Sequence, residues 1–193
     1  MDGNSAITKE RRWGMKDAKQ DKARPISGEM LDEMRSEFVR VSAARDLDKA
    51  CKCPKEVLLC NICENLFKLP TAVCDYDESA KTTPLKNIDF QEVDIEGSDV
   101  ACCVLSIVFS TLLYCVALNI EIGKEYDKAE PYKSSDIGSK TIREICYRLA
   151  RPLATCGTRK SFCYDITDFL CDFLALSKIL NVDVYYMTIM LNE

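Results

Sequence analysis

Histidine is absent from this 193-residue chain. Because histidine is the commonest general base and metal ligand near neutral pH, its absence excludes Ser-His-Asp triads and HExxH metal sites. The sequence also has no P-loop, GxGxxG or nucleophile-elbow pattern, which argues against the enzyme classes built on those motifs. Any catalysis would therefore depend on carboxylates and thiols.

The chain also lacks an excess of positive charge. It has 26 Lys and Arg against 31 Asp and Glu, a formal net charge of -5. Such a chain has no overall attraction for nucleic acid, so the sequence predicts no nucleic-acid partner. The polar start lacks the apolar stretch of a secretory signal, and we expect a cytoplasmic protein, with a nuclear or membrane-associated one as the alternative.

Cysteine, in contrast, is abundant, with twelve residues spread from Cys51 to Cys171 within apolar stretches. This distribution favours free thiols in a reducing compartment. Cys51, Cys53, Cys60 and Cys63 also have a spacing that could hold a zinc ion. The second pair lies within a predicted helix, whereas structural zinc pairs usually lie on turns, so free thiols are the preferred interpretation.

Apolar spacing predicts an all-α helical bundle. Residues 1–26 are charged and lack periodic apolar positions, which predicts a disordered arm. We expect helices over 28–44 and 54–69, a loop of roughly twenty residues, and a buried helix within 93–120. One further helix should end before Pro152, a longer one should run from about 165 to 180, and a short helix or strand should follow.

The buried helix has an alternative. About twenty residues from Val100 to Ile120 carry no charge, which is the length of a membrane-spanning helix. Ser106, Ser110 and Asn119 weaken membrane insertion, and few basic residues flank the run to orient it. A buried bundle helix and a spanning helix both fit this stretch.

Three carboxylates are candidate metal ligands. Glu96 and Asp99, in EGSD, lie three residues apart and would share one face of a helix, where both could bind one hard cation. Glu64 lies in the predicted helix 54–69 and would approach from a facing helix. Metal sites in helical bundles are often built this way, although such acids are also ordinary solvated surface.

The stretch LDEMRSEFVRVSAARDLDKACKCPKEVLLCNICENLFKL resembles the opening of the MazG-like dCTP pyrophosphatases. That family has a helix, an Arg-Asp-Trp step, a Pro-Arg-Asn helix start and an apolar run into a Glu-x-x-Glu pair. The corresponding residues here are Arg45, Asp46, Leu47, Pro54, Lys55, Glu56 and, as the first Glu, Glu64. EGSDV resembles the family's Glu-Leu-Ser-Asp-Val at about the family's distance from Glu64.

The resemblance implies a bundle whose active site is completed in a homo-oligomer. It also implies hydrolysis of a nucleoside triphosphate, such as dCTP, to a monophosphate and pyrophosphate. Glu64, Glu96 and Asp99 would bind the Mg²⁺ ions that this reaction uses. The sequence departs from the family at Phe67, which replaces the second Glu, and at Leu47 and Cys51, which replace an aromatic residue and a histidine.

A second, lower-ranked match lies in DITDFLCDFLALSKILNVDV, where Asp165, Asp168 and Asp183 follow the same pattern. Glu121 could serve as the later acid of the first set if the run after Asp99 carries an insertion. We therefore divide the chain into the arm, a MazG-like region at 27–125 and a region at 126–193 that could be a partial repeat. The alternative function is a catalytically inactive interaction protein or a membrane-associated protein.

Overall fold

The computed structural model describes residues 25–44, 55–90, 98–128, 137–154 and 162–190. Over these residues the chain forms seven α-helices and no strand, which confirms the predicted all-α class. Two short 3-10 helices, Glu78–Lys81 and Leu85–Asn87, follow the second α-helix. The α-helices are α1 (Gly28–Ala44), α2 (Lys55–Tyr76), α3 (Asp99–Ala117), α4 (Ile122–Lys128), α5 (Ile142–Ala154), α6 (Phe162–Ile179) and α7 (Val184–Met190). The predicted arm lies mostly outside the described residues.

Side-chain caps explain where several helices begin. The Ser27 hydroxyl accepts a hydrogen bond from the Met30 N–H at 3.3 Å, and α1 has the predicted bounds. Thr141 and Glu144 form a capping box at the start of α5, in which Glu144 accepts the Thr141 N–H at 2.9 Å. This bond to Thr141 lowers the pKa of Glu144. Both capping patterns can be recognised in the sequence, because each joins residues three positions apart.

Two proline residues do not end helices where the sequence suggested. The predicted end of α2 near residue 69 is wrong, because the helix continues through Pro70 to Tyr76. Pro70 removes one backbone hydrogen bond from the helix. Leu69 before it and Val73 and Cys74 after it are buried, and the burial of their side chains offsets the loss. The predicted break before Pro152 is also wrong, since α5 reaches Ala154 with Leu153 buried.

The core centres on α3, which packs most extensively against α2. By length and composition both helices could cross a membrane. In this fold 67% of the most apolar stretch of α3 is buried within the protein, against 33% for α2. The uncharged run predicted either as a buried or as a spanning helix is thus a largely buried helix here.

The turns after α3 and α6 are alike in sequence and geometry. Leu118–Ile122 reads LNIEI and Leu180–Val184 reads LNVDV. Asn119 and Asn181 both have φ of 57°, and the residue after each donates its N–H back to the preceding helix at 2.9 Å. The likeness of these two five-residue segments therefore extends to the backbone of the turn.

Helix α1 lies against both short helices that follow these turns. Its Gly28 N–H donates to the Asp127 carboxylate of α4 at 2.8 Å, and Gly28 approaches Gly123 of α4 closely. At α7, the Tyr185 hydroxyl donates to the Glu33 carboxylate at 2.7 Å. α1 therefore contacts both helix–turn–helix units, which are α3 with α4 and α6 with α7.

The Gly28–Gly123 approach predicts that Gly123→Ala lowers the free energy of unfolding by about 1–3 kcal/mol, seen as a lower Tm by circular dichroism. The added methyl would lie 2.6 Å from the Gly28 carbonyl oxygen and would overlap the Asp32 carboxylate. Gly138→Ala is the control, because its nearest neighbour would be the Lys86 Cβ at 3.2 Å, a longer contact than those at Gly123. Equal Tm shifts in both variants would contradict the close helix approach.

The left-handed turns make a second prediction. Asn119→Val should destabilise the protein by about 1–2 kcal/mol, because a β-branched residue is strained at positive φ, whereas Asn119→Gly should change stability little. The same two substitutions at Asn181 should give the same order of stability, with valine below glycine, when unfolding by urea is measured. A valine tolerated as well as glycine at either position would show that the turn is not left-handed.

Candidate functional site

Glu64 lies in the middle of α2 with 61% of its side chain exposed. One turn later, the Lys68 ammonium donates to its carboxylate at 2.6 Å. This hydrogen bond lowers the pKa of Glu64, so the carboxylate is ionised at neutral pH. Glu64 is therefore a charged, solvent-facing oxygen donor.

Asp99 is exposed in the first turn of α3. The preceding Ser98 caps the helix by accepting the Ala101 N–H at 3.4 Å, and an acid in the first turn complements the helix dipole. Glu96 lies outside the described residues. Ser98 and Asp99 therefore stabilise the start of α3, in addition to any role of Asp99 as a metal ligand.

Electrostatic contacts connect the Asp99 turn to the Glu64 helix. Burial raises the pKa of the Cys103 thiol, one turn after Asp99, and the Asp99 charge raises it further. The positive charge of Lys68 on α2 lowers the pKa of the same thiol. Lys68 and Asp99 thus both act on one buried thiol, and the helices that carry them, α2 and α3, pack against each other.

The predicted metal ligands within the described residues are Glu64 and Asp99. Glu64 and Asp99 supply exposed carboxylate oxygens, which suit Mg²⁺ because this ion prefers oxygen and keeps several waters. Across the described ranges, no three Cys, Asp or Glu side chains gather closely enough to bind a metal. A three-acid site therefore depends on Glu96. Phe67, at the family's second Glu, is 70% exposed.

The lower-ranked acids lie elsewhere. Asp168 is exposed on α6, and Asp183 caps α7 by accepting the Tyr186 N–H at 2.9 Å. The Asp165 side chain lies outside the described residues. Glu121 follows α3 and binds Lys124 at 2.6 Å. At 1.5 Å of rise per residue it is roughly 25–30 Å from Asp99, so these two acids cannot share a metal within one chain.

The thiols do not form a reactive cluster within the described part of the chain. Cys60 is exposed and Cys63 half-buried on α2, and both are free; Cys51 and Cys53 lie outside the described residues. Burial raises the pKa of Cys63, and raises those of Cys146 and Cys171 to about 12. These buried and half-buried thiols are protonated at neutral pH and serve as small apolar side chains.

Sequence reasoning missed an open pocket of about 380 Å³ at the far end of α3. It lies between α1 and the Asn119 turn, and the only hint of it in the sequence is the repeated LNIEI and LNVDV pattern. Its lining residues are Arg35, Ser36, Val39, Val116, Asn119, Ile120 and Glu121.

Comparison with known proteins gives no relative, since no protein-family model, no curated protein and no solved structure matches the chain. The resemblance to the MazG-like pyrophosphatases therefore rests on the motifs quoted above.

Proposed function

We propose that the protein is a Mg²⁺-dependent nucleoside triphosphate diphosphatase with a bundle resembling the MazG-like fold. It would hydrolyse a deoxynucleoside triphosphate such as dCTP to the monophosphate and pyrophosphate. The observation that carries the proposal is the packing of α2, which carries Glu64, against α3, which begins at Asp99. A metal site with acids from two helices requires such a packed pair.

Glu64 and Asp99 would hold the metal together with Glu96. The bound Mg²⁺ would neutralise phosphate charge and make a water more acidic. Lys68 binds Glu64 at 2.6 Å in the free protein. When the Glu64 charge is taken up by the metal, the Lys68 ammonium would be available to a phosphate oxygen of the substrate. No histidine is needed for this chemistry.

Phe67 supports an oligomer as the working form. It lies on α2 three residues after Glu64, and its ring is 70% exposed. A second subunit would bury this ring and could supply the fourth acid that Phe67 replaces. The proposed partners are thus the triphosphate substrate and a second copy of the chain.

Purified protein with Mg²⁺ and dCTP should release pyrophosphate, and Glu64→Gln and Asp99→Asn should each reduce kcat/KM at least about a hundredfold, because an amide is a poor metal ligand. Enzyme-coupled pyrophosphate detection measures this. Asp75→Asn is the control, since Asp75 is exposed on the same helix as Glu64, almost three turns later.

The absence of pyrophosphate release over a panel of ribo- and deoxynucleoside triphosphates would overturn the enzymatic proposal. The alternative that the sequence leaves, a catalytically inactive interaction protein or a membrane-associated protein, would then be preferred. Equal activity in wild type and both acid variants would assign the hydrolysis to other residues.

Lys68→Gln should raise KM for the triphosphate about tenfold and leave kcat within a factor of a few, because the lost contact would be to substrate phosphate. Lys81→Gln is the matched control. Lys81 binds Glu78 at 2.9 Å, a pair similar to Lys68–Glu64, in the 3-10 helix after α2. A similar rise in KM for both variants would show that Lys68 acts only through general charge.

A further inference from the structure

The pocket beside the Asn119 turn is separate from the proposed hydrolytic site. It lies after the end of α3, whereas Asp99 lies at its start, roughly 25–30 Å away. Its volume of about 380 Å³ is within the range of ligand pockets, about 300–1,000 Å³. One small ligand could therefore not occupy both sites at once.

Residues of opposite charge line this pocket. Arg35 of α1 and Glu121 are both among its lining residues, and each takes part in an ion pair. Arg35 contacts Asp32 at 3.3 Å, and Glu121 contacts Lys124 at 2.6 Å. The two positive and two negative charges cancel, so complementarity favours a zwitterion over a ligand with net charge.

The rest of the lining is largely aliphatic. Val39, Val116 and Ile120 form the apolar part of the pocket. Val116 is 41% exposed, so an aliphatic ligand group placed there would remove apolar surface from water. Asn119 adds an amide from a backbone with φ of 57°, a conformation that is sparsely populated outside glycine.

We infer that this pocket binds a free α-amino acid with an aliphatic side chain. The ligand carboxylate would bind the Arg35 guanidinium, and its ammonium would bind the Glu121 carboxylate. The aliphatic side chain would pack on Val39, Val116 and Ile120. The two charged and the three aliphatic lining residues would then each meet a ligand group of matching chemistry.

Isothermal titration calorimetry of the full chain with L-leucine tests the ligand class. Leucinamide lacks the carboxylate and 4-methylpentanoate lacks the ammonium, so each should bind at least about tenfold more weakly than leucine. Deoxycytidine should give no heat. No binding of leucine, equal binding of either analogue, or tighter binding of the nucleoside would overturn the inference.

Variants locate the binding site. Arg35→Gln and Glu121→Gln should each weaken leucine binding about tenfold or more. Arg40→Gln is the matched control, because Arg40 is on the same helix, pairs with Glu37 and does not line the pocket. Circular dichroism confirms that each variant is folded.

Unchanged affinity in both pocket variants would place the ligand elsewhere and overturn the inference. The result is independent of the hydrolytic proposal, because Glu64→Gln should keep full leucine binding. Loss of pyrophosphate release with leucine binding intact, or the reverse, would separate the two proposals.

Discussion

The burial of α3 is the constraint on which the rest of the structure depends. Twelve of its nineteen residues are buried, so the helix meets other helices on most of its sides and has no room for a charged stripe. The buried Thr111 hydroxyl is satisfied within the helix, donating to the Ile107 carbonyl at 2.7 Å. The long uncharged run in the sequence follows from this position in the core.

Because α3 is buried along its length, polar chemistry is confined to its two ends. Asp99 stands at the start, beside the helix that carries Glu64 and Lys68. Glu121 stands after the end, beside Arg35 of α1. The length of the helix keeps these groups apart, and this separation is the physical reason for proposing two sites instead of one.

The two helix–turn–helix units show how one local fold accommodates different roles. After the left-handed Asn, the first unit has Glu121, whose longer side chain reaches Lys124, and the second has Asp183, whose shorter side chain caps α7. Asp is a strong N-cap because its carboxylate reaches the exposed N–H groups of the first turn. The acid in the second unit is therefore used for helix stability.

The sequence by itself determined the all-α class, the bounds of α1 and the capped starts of helices, because all of these depend on residues within a turn or two of each other. The tertiary structure decided that α2 and α5 pass through Pro70 and Pro152, since the compensating contacts come from other helices. It also decided that Arg35 of α1 faces the Asn119 turn. These relations join residues far apart in the chain, and only packing around α3 fixes their distances.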